Sequence, residues 1–329
     1  MDSKVEARLA RNVCRVCGAA ARAPAFEARE MLIGTRETFA YFECGGCGCV
    51  QIAAIPGDLE RHYPPGYFSF RDWKGLARHP IRRWIDPLRV KSAFGGASSI
   101  GRFAERVSRP LDYIDWVRAA GLDAHARVLD VGCGAGKTLV AMALGGFPTP
   151  AGVDPFIARP IHYPIGVTIE KTTVEAFARS GRGPFDLVMF HHALEHLPDP
   201  GPALAAARTL LSEKGRILVV VPVAGAYAWR KYGANWCNLD PPRHLHLFTR
   251  AALDILAAQS GLAIEWSRSV GALSQFVGSE RYLLDIPASD PMADRAIFSR
   301  AQIADWKRQT ERLNREGQGD QMMLQLRAA

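Results

Sequence analysis

The chain has 329 residues, of which 48% are hydrophobic and 22% charged, and it carries a net charge of +8 with histidine neutral. That length is enough for one large core and a smaller unit, and the composition excludes a disordered or fibrous chain. No apolar run reaches transmembrane length and no signal-peptide pattern opens the sequence, so a cytoplasmic location is expected. The positive charge suits an anionic substrate, an anionic membrane surface or a nucleic acid, and does not choose among them.

Residues 1–55 read as a small N-terminal domain. Cys14-Arg-Val-Cys17 and Cys44-Gly-Gly-Cys47 are two C-x-x-C knuckles with 26 residues between them, and five of the seven cysteines fall here. In a reducing compartment this pattern favours four thiolates around one structural zinc over disulfides. No βαβ pattern surrounds either pair, which argues against a redox-active dithiol. Cys49, two residues beyond the last knuckle on the strand-like CVQIAA, reads as a small buried hydrophobe.

Residues 56–121 read as a helical, aromatic connector or lid. HYPPGYFSF has turn chemistry at its centre and aromatic residues around it. In LARHPIRRWIDPLRVKSAF, residues 76–94, arginines alternate with Leu76, Ile81, Trp84, Ile85 and Leu88, and Pro80 and Pro87 limit any single helix to a short one. The apolar side either packs on the next domain or lies on a membrane surface, the first being the commoner use of an amphipathic helix. FAERVSRPLDYIDWVRAAG then reads as one helix ending at Gly121.

At RVLDVGCGAG a short apolar run meets Asp130, and glycines stand at 132, 134 and 136 before the helical KTLVAMAL. This is strand, tight turn, helix, with room for a ligand to approach the backbone. A dinucleotide loop wants its third glycine at 137, which is Lys137, and a P-loop wants its first at Val131, so both patterns fail by one residue. The complete D-x-G-x-G-x-G resembles the first motif of the class I S-adenosylmethionine-dependent methyltransferases. That resemblance implies a Rossmann-like α/β sheet over residues 122–280, with the loop Asp130, Gly132, Cys133, Gly134 and Gly136 passing under the methionine part of S-adenosylmethionine. Asp154 ends the second strand 18 residues past Gly136, the spacing at which such folds present an acid to the ribose. Thr173, Val174 and Glu175 occupy the family's adenine position, and His191 ends the fourth strand of the cofactor side.

FDLVMFHHALEHLPDP places His192, Glu195 and His196 at i, i+3 and i+4 of a helical turn, where they would share one face. Imidazole and carboxylate at this spacing serve as metal ligands or as acid and base. The segment is similar to the E-x-x-E-H of ubiquinone-pathway O-methyltransferases and of small-RNA 2′-O-methyltransferases, which bind a divalent metal there. The RNA enzymes add a histidine from a later segment; here that segment is PPRHLHLFTR and the matching residue is His246, although His192 stands where those families have glutamate. The resemblance therefore implies a catalytic metal on His192, Glu195, His196 and His246, against an alternative in which the glutamate only orients a histidine. Arg243 is a candidate to grip an anionic substrate, and His244 or His246 to take a proton.

RAALDILAAQSG and LAIEWSRSV read as a helix and a sixth strand. No seventh strand is visible; LSQFVGSERYLLDI reads as helix, residues 281–329 as a helical tail, and the closing QGDQMMLQLRAA as frayed or partner-bound. The reading is a methyltransferase with an N-terminal zinc ribbon, acting on a hydroxyl of a sugar-containing or other small hydroxylated metabolite. The alternatives are an RNA 2′-O-methyltransferase and a cofactor-binding regulatory or assembly protein without turnover. Oligomeric state is left open.

Overall fold

The described residues form twelve strands: β1 (Phe26–Arg29), β2 (Thr38–Glu43), β3 (Val50–Ile52), β4 (Val128–Val131), β5 (Ala151–Val153), β6 (Ile161–His162), β7 (Thr168–Glu170), β8 (Phe185–His191), β9 (Leu211–Pro222), β10 (His246–Leu247), β11 (Leu262–Val270) and β12 (Gln321–Ala328). They belong to a computed structural model that describes residues 12–64, 66–107 and 111–329. Two units interleave along the sequence. One comprises Met1–Tyr63, Leu194–Gly201 and Val220–Leu324; the other comprises Pro64–Ala193, Pro202–Val219 and Gln325–Ala329. Among the described residues, no helix is long and apolar enough to cross a membrane. The first eleven residues, on which the signal-peptide expectation rests, lie outside the described set.

In the second unit the strands hydrogen-bond in the order β9-β8-β4-β5-β7-β6. β4 runs parallel to both β5 and β8, with Leu129 opposite Ala151 and Val188, and β5 runs parallel to β7. All four residues of β4 are buried, as expected of a strand covered on both faces. Helix Lys137–Leu144, which follows the glycines, sets Leu139, Val140 and Leu144 against Ile157, Tyr163, Val167 and Ile169. This is the Rossmann-like sheet that the glycine loop implied. β6 folds back antiparallel on β7, an addition that two residues of strand did not reveal in the sequence.

The connector differs from its reading in two places. A helix of 14 residues, Pro80–Ala93, runs straight through Pro87. Asp86 binds Arg82 at 2.7 Å and Arg89 at 3.1 Å, so an ion pair spans the turn in which proline removes a backbone hydrogen bond. The helix expected over residues 103–121 is two helices, Ser99–Val107 and Asp112–Ala119, with residues 108–110 outside the described set.

The first unit is built on the sheet β1-β2-β3-β10, so the cysteine segment shares a sheet with a strand some two hundred positions later. β10 pairs antiparallel with β3, His246 opposite Gln51 and Leu247 opposite Val50. Tyr41 donates its hydroxyl to the His244 carbonyl at 2.8 Å, and Arg15 donates to the carbonyls of Ile52 and Leu245 at 2.9 and 3.2 Å. Below the sheet, Tyr41, Ile52, Trp236, Leu245, Leu247, Phe276 and Trp306 form one apolar core. The tail is ordered: residues Arg300–Arg315 are helical and β12 follows, hydrogen-bonded to β11. Residues 321–328 were expected to fray, but Met323, Leu324 and Leu326 are buried, and a strand with a buried face and a paired edge does not fray.

One ion-pair set crosses this unit. Arg243 is fully buried; it donates to Glu30 at 2.7 Å, to both Asp240 oxygens at 2.6 and 3.0 Å, and to the His62 carbonyl. Glu30 also accepts the backbone N–H groups of Leu32, Ile33, Gly34 and Thr35. Burial works to raise the Glu30 pKa, yet the Ile33 N–H and the guanidinium outweigh it and hold the carboxyl below its ordinary value. Asp240 is likewise depressed, Arg243 outweighing burial. Arg243→Met should therefore cost about 3–5 kcal/mol in urea unfolding, because two buried carboxylates lose their counter-charge. Arg61→Ala, at an exposed pair with Glu37, should cost under about 1 kcal/mol. Equal midpoints for the two variants would refute the assigned role of Arg243.

Candidate active site

The glycine loop follows β4 in the second unit. Gly134 has φ +56, and a Cβ there would stand 2.3 Å from the Ser69 carbonyl oxygen, so both the backbone conformation and the space demand glycine. Ser69 accepts the Ala135 N–H at 2.7 Å, and Tyr163 donates to the Ala135 carbonyl at 2.8 Å while accepting the Trp73 N–H at 3.3 Å. The aromatic turn Phe68–Phe70 and the start of the connector thus close one side of the loop. Sequence reasoning singled out that aromatic stretch but missed Ser69 and Tyr163 as its points of attachment.

Two carboxyls serve the loop. Asp154 follows β5 and accepts the Gly134 N–H through one oxygen and the Phe156 N–H through the other, both at 2.8 Å. Asp130 lies within β4, with its Oδ1 buried and without a hydrogen-bond partner. Burial, and then the Asp154 carboxylate, push the Asp130 carboxyl up to about 8; burial raises Asp154 as well. A pair of buried acids with an unsatisfied oxygen is a site for a cationic ligand. Cys133 turns its sulfur to the strand side, where a Cβ on Gly152 would meet it at 2.4 Å.

The remaining cofactor-side positions are local. Thr173 caps helix Val174–Ala178, its hydroxyl accepting the Ala176 N–H at 3.3 Å, and Val174 is buried. His191 ends β8 with its ring 4.6 Å from that of Trp116. Trp116 carried no signal in the sequence beyond its aromatic character.

The helical turn expected at HALEH does not form. His192 has φ +53, a left-handed backbone that stops the turn from running through it, and only Leu194–His196 wind into a 3-10 turn. His192 therefore stands outside the cluster, its ring against that of His191. His246 also stands outside: it is buried in β10, stacked on Phe248, and its Nε2 accepts from Arg15 at 3.2 Å. Burial, then the Arg15 charge, depress its pKa to about 3. The cluster that does form comprises Glu195, His196 and His244, whose ligand atoms lie within 4.8 Å of one another in the first unit.

Each histidine of this cluster is oriented by a carbonyl. His196 Nδ1 meets the Arg243 carbonyl at 2.9 Å and the Tyr63 hydroxyl at 3.1 Å; His244 Nδ1 meets the Asn238 carbonyl at 2.7 Å. A carbonyl only accepts, so Nδ1 carries the proton in both rings and Nε2 keeps its lone pair. His244 Nε2 lies 3.9 Å from Glu195 and 3.8 Å from Asp240. Burial, then the neighbouring His244, lower the His196 pKa to about 4, so its ring is neutral at physiological pH. Asn238 is itself fixed by Asp320 at 2.7 Å, just before β12, and Asp320 also accepts the Trp236 indole N–H at 3.1 Å. Arg243, expected to grip substrate, spends its donors on Glu30, Asp240 and a backbone carbonyl inside the protein.

The four N-terminal cysteines converge. Cys14 and Cys47 sulfurs are 3.6 Å apart, Cys17 and Cys44 3.3 Å, and all four lie within 4.8 Å of one another. Backbone N–H groups of Val16 and Cys17 point at the Cys14 sulfur and those of Gly46 and Cys47 at the Cys44 sulfur, while Gln51 donates to Cys14 at 2.8 Å. This cluster fits a zinc ribbon. Cys49 is fully buried beside it.

A family model described as a methyltransferase domain matches residues 103–266. The chain is 33% identical over 173 residues to a ubiquinone biosynthesis O-methyltransferase of Azotobacter vinelandii, an alignment covering 47% of this chain and 75% of that protein. It is 31% identical over 196 residues to the protein of the same name from Thiobacillus denitrificans, covering 51% and 84%. Among solved structures, a SAM-dependent methyltransferase from Archaeoglobus fulgidus is similar with a TM-score of 0.38 and 20% identity, over 72% of this chain and 96% of that one. Together with the glycine loop and the sheet that presents it, the family model and the two O-methyltransferase relatives place the chain among the S-adenosylmethionine-dependent methyltransferases.

Proposed function

We propose that the protein methylates a hydroxyl group of a small hydroxylated metabolite, with Glu195, His196 and His244 holding a divalent metal and Cys14, Cys17, Cys44 and Cys47 a structural zinc. The observation that carries the reading is the pair of imidazoles whose Nδ1–H groups are tied to carbonyls, leaving two Nε2 lone pairs beside a buried carboxyl group. That is the arrangement in which histidine ligates a metal, the second nitrogen fixing ring and tautomer. The lowered pKa of His196, about 4, supports a ligand over a base. An imidazole that weakly basic takes a proton from a hydroxyl poorly, yet needs no deprotonation before binding a metal.

S-adenosylmethionine supplies a methyl group already activated by the sulfonium. The protein's part is to hold donor and acceptor in line and to make the acceptor oxygen electron-rich. For the cofactor, the residues are Asp130, whose unsatisfied oxygen suits the cationic amino group, and Asp154, whose carboxylate suits the ribose hydroxyls, together with Gly132, Gly134 and Gly136. Thr173, Val174 and His191 remain the proposed contacts toward adenine and the strand end. For the acceptor, Glu195, His196 and His244 would hold a metal whose Lewis acidity would lower the hydroxyl pKa. Tyr63 and the Arg243 carbonyl keep His196 in place, and Asn238 keeps His244. The relatives named as O-methyltransferases support oxygen as the accepting atom.

Gly134→Val should weaken S-adenosylmethionine binding by roughly 10- to 100-fold, the scale of about 1–3 kcal/mol of backbone strain with the ligand's approach blocked as well. Calorimetry with unchanged affinity would remove the loop from the cofactor site. Elemental analysis of the purified chain should find one zinc that resists mild chelation and a second metal that chelators remove. Turnover in His244→Ala should fall by roughly 10²- to 10⁴-fold with cofactor affinity retained, as expected for loss of a ligand to the metal that would activate the acceptor hydroxyl. One metal equivalent in the parent and full turnover in His196→Ala would reject the cluster as a catalytic centre.

A further inference from the structure

The connector of the second unit presents an apolar and cationic surface that the methyl-transfer reaction does not use. Helix Pro80–Ala93 buries Asp86, Arg89, Val90 and Ala93, yet turns Ile81 and Trp84 to solvent, each 61% exposed. These two stand at i and i+3, one face of the helix, and the buried residues lie on another. The neighbouring helix Ser99–Val107 repeats the arrangement, with Ile100 48% and Phe103 68% exposed while Gly101 and Ala104 are buried. The helices touch closely: a Cβ on Gly101 would stand 2.1 Å from the Leu88 carbonyl oxygen. Four large apolar side chains are thus held out on rigid helices, where hydrophobic burial would ordinarily draw them in.

Charge surrounds them. Residues 71–107 contain nine arginines and lysines against three carboxylates, a local excess of positive charge. One of the three carboxylates, Asp86, is buried between Arg82 and Arg89. Arg78, Arg83, Lys91, Arg102 and Arg106 remain exposed beside the apolar pairs.

We propose that this helical pair is a docking surface for an anionic lipid bilayer, the aromatic and aliphatic side chains entering the headgroup boundary while the cations meet lipid phosphates. Tryptophan with arginine is the composition that settles at that boundary. A second copy of the chain is a poorer occupant, because a self-complementary contact would set two cationic faces against each other. Nucleic acid offers the phosphates but gives Ile81, Ile100 and Phe103 nothing to enter.

The experiment is flotation of the full chain with phosphatidylcholine vesicles, with and without phosphatidylglycerol, at physiological salt. The parent should float with the anionic vesicles alone. The double variant Trp84→Ser, Phe103→Ser should lose at least about tenfold in partitioning from the lost apolar burial. Arg83→Glu with Arg102→Glu should lose roughly fivefold for each cation removed. Unchanged circular dichroism and unchanged S-adenosylmethionine affinity in both variants will show that the fold and the cofactor site are untouched. The proposal is overturned by a parent that floats with neither vesicle, or by variants that float as the parent does. It is equally overturned by a dimer in light scattering that Trp84→Ser dissolves, or by retention on nucleic acid without vesicle binding.

Discussion

A guanidinium without water around it must be matched by carboxylates, and the match at Arg243 is what the candidate catalytic unit is hung upon. Its two partners come from opposite directions: Asp240 from its own turn and Glu30 from a loop 213 positions earlier. The left-handed backbone at Asp240, φ +42, turns that carboxylate back onto the arginine three residues on. Because Glu30 is itself held by four backbone N–H groups, the pair ties the loop after β1 to the segment that carries His244. Replacing this set with apolar residues would cost little in principle; removing one partner leaves charge stranded. The consequence is positional: the Arg243 carbonyl that orients His196 belongs to the residue that is locked most firmly.

The N-terminal cysteine segment also braces the strand that carries His246. Tyr41 and Arg15 reach the carbonyls of His244 and Leu245, and β3 pairs with β10. Thr249 donates to the Cys47 carbonyl at 2.5 Å, which couples the second knuckle to the start of the following helix. A ribbon of this size has little core of its own, so sharing a sheet with a later strand supplies burial that it would otherwise lack. At the other end of the chain, Asp320 fixes Asn238 and through it the His244 ring. Residues early and late in the chain thus hold the two sides of His244, its backbone carbonyl and its ring.

Much of this was legible in the sequence where it depended on neighbours along the chain. The helix at Lys137–Leu144, the strand at Leu262–Val270 and the convergence of two C-x-x-C knuckles follow from periodicity and spacing. The histidine set was not legible in the same way. Grouping His192 with Glu195 and His196 assumed a regular helical turn, and a single left-handed residue removes that assumption. Choosing His246 over His244 relied on a family register; the choice is reversed by Arg15, a residue 231 positions away that binds His246 on the ribbon sheet. β12 was missed for a related reason. Its run of Met323, Leu324 and Leu326 is short and polar-flanked, and only the pairing with β11, fifty residues earlier, makes it a strand.

Electrostatics separates the two halves of the proposed chemistry. At the glycine loop, Asp130 and Asp154 face each other at a site where burial raises both carboxyls, so the site gains by receiving positive charge. Around His196 the charges are also lopsided: Glu195, Asp240 and Glu30 contribute three carboxyl groups, and Arg243 answers with one guanidinium. His196 does not make up the difference, since burial and the neighbouring His244 outweigh the carboxylates that would charge it. Under the proposed metal reading, a dication held by Glu195, His196 and His244 would offset this excess of carboxyl groups. The same excess of carboxyl groups argues against an anionic substrate group docking beside His196. Under the proposed reading, an uncharged hydroxyl is the acceptor that such surroundings would tolerate, its charge developing only once it is held there.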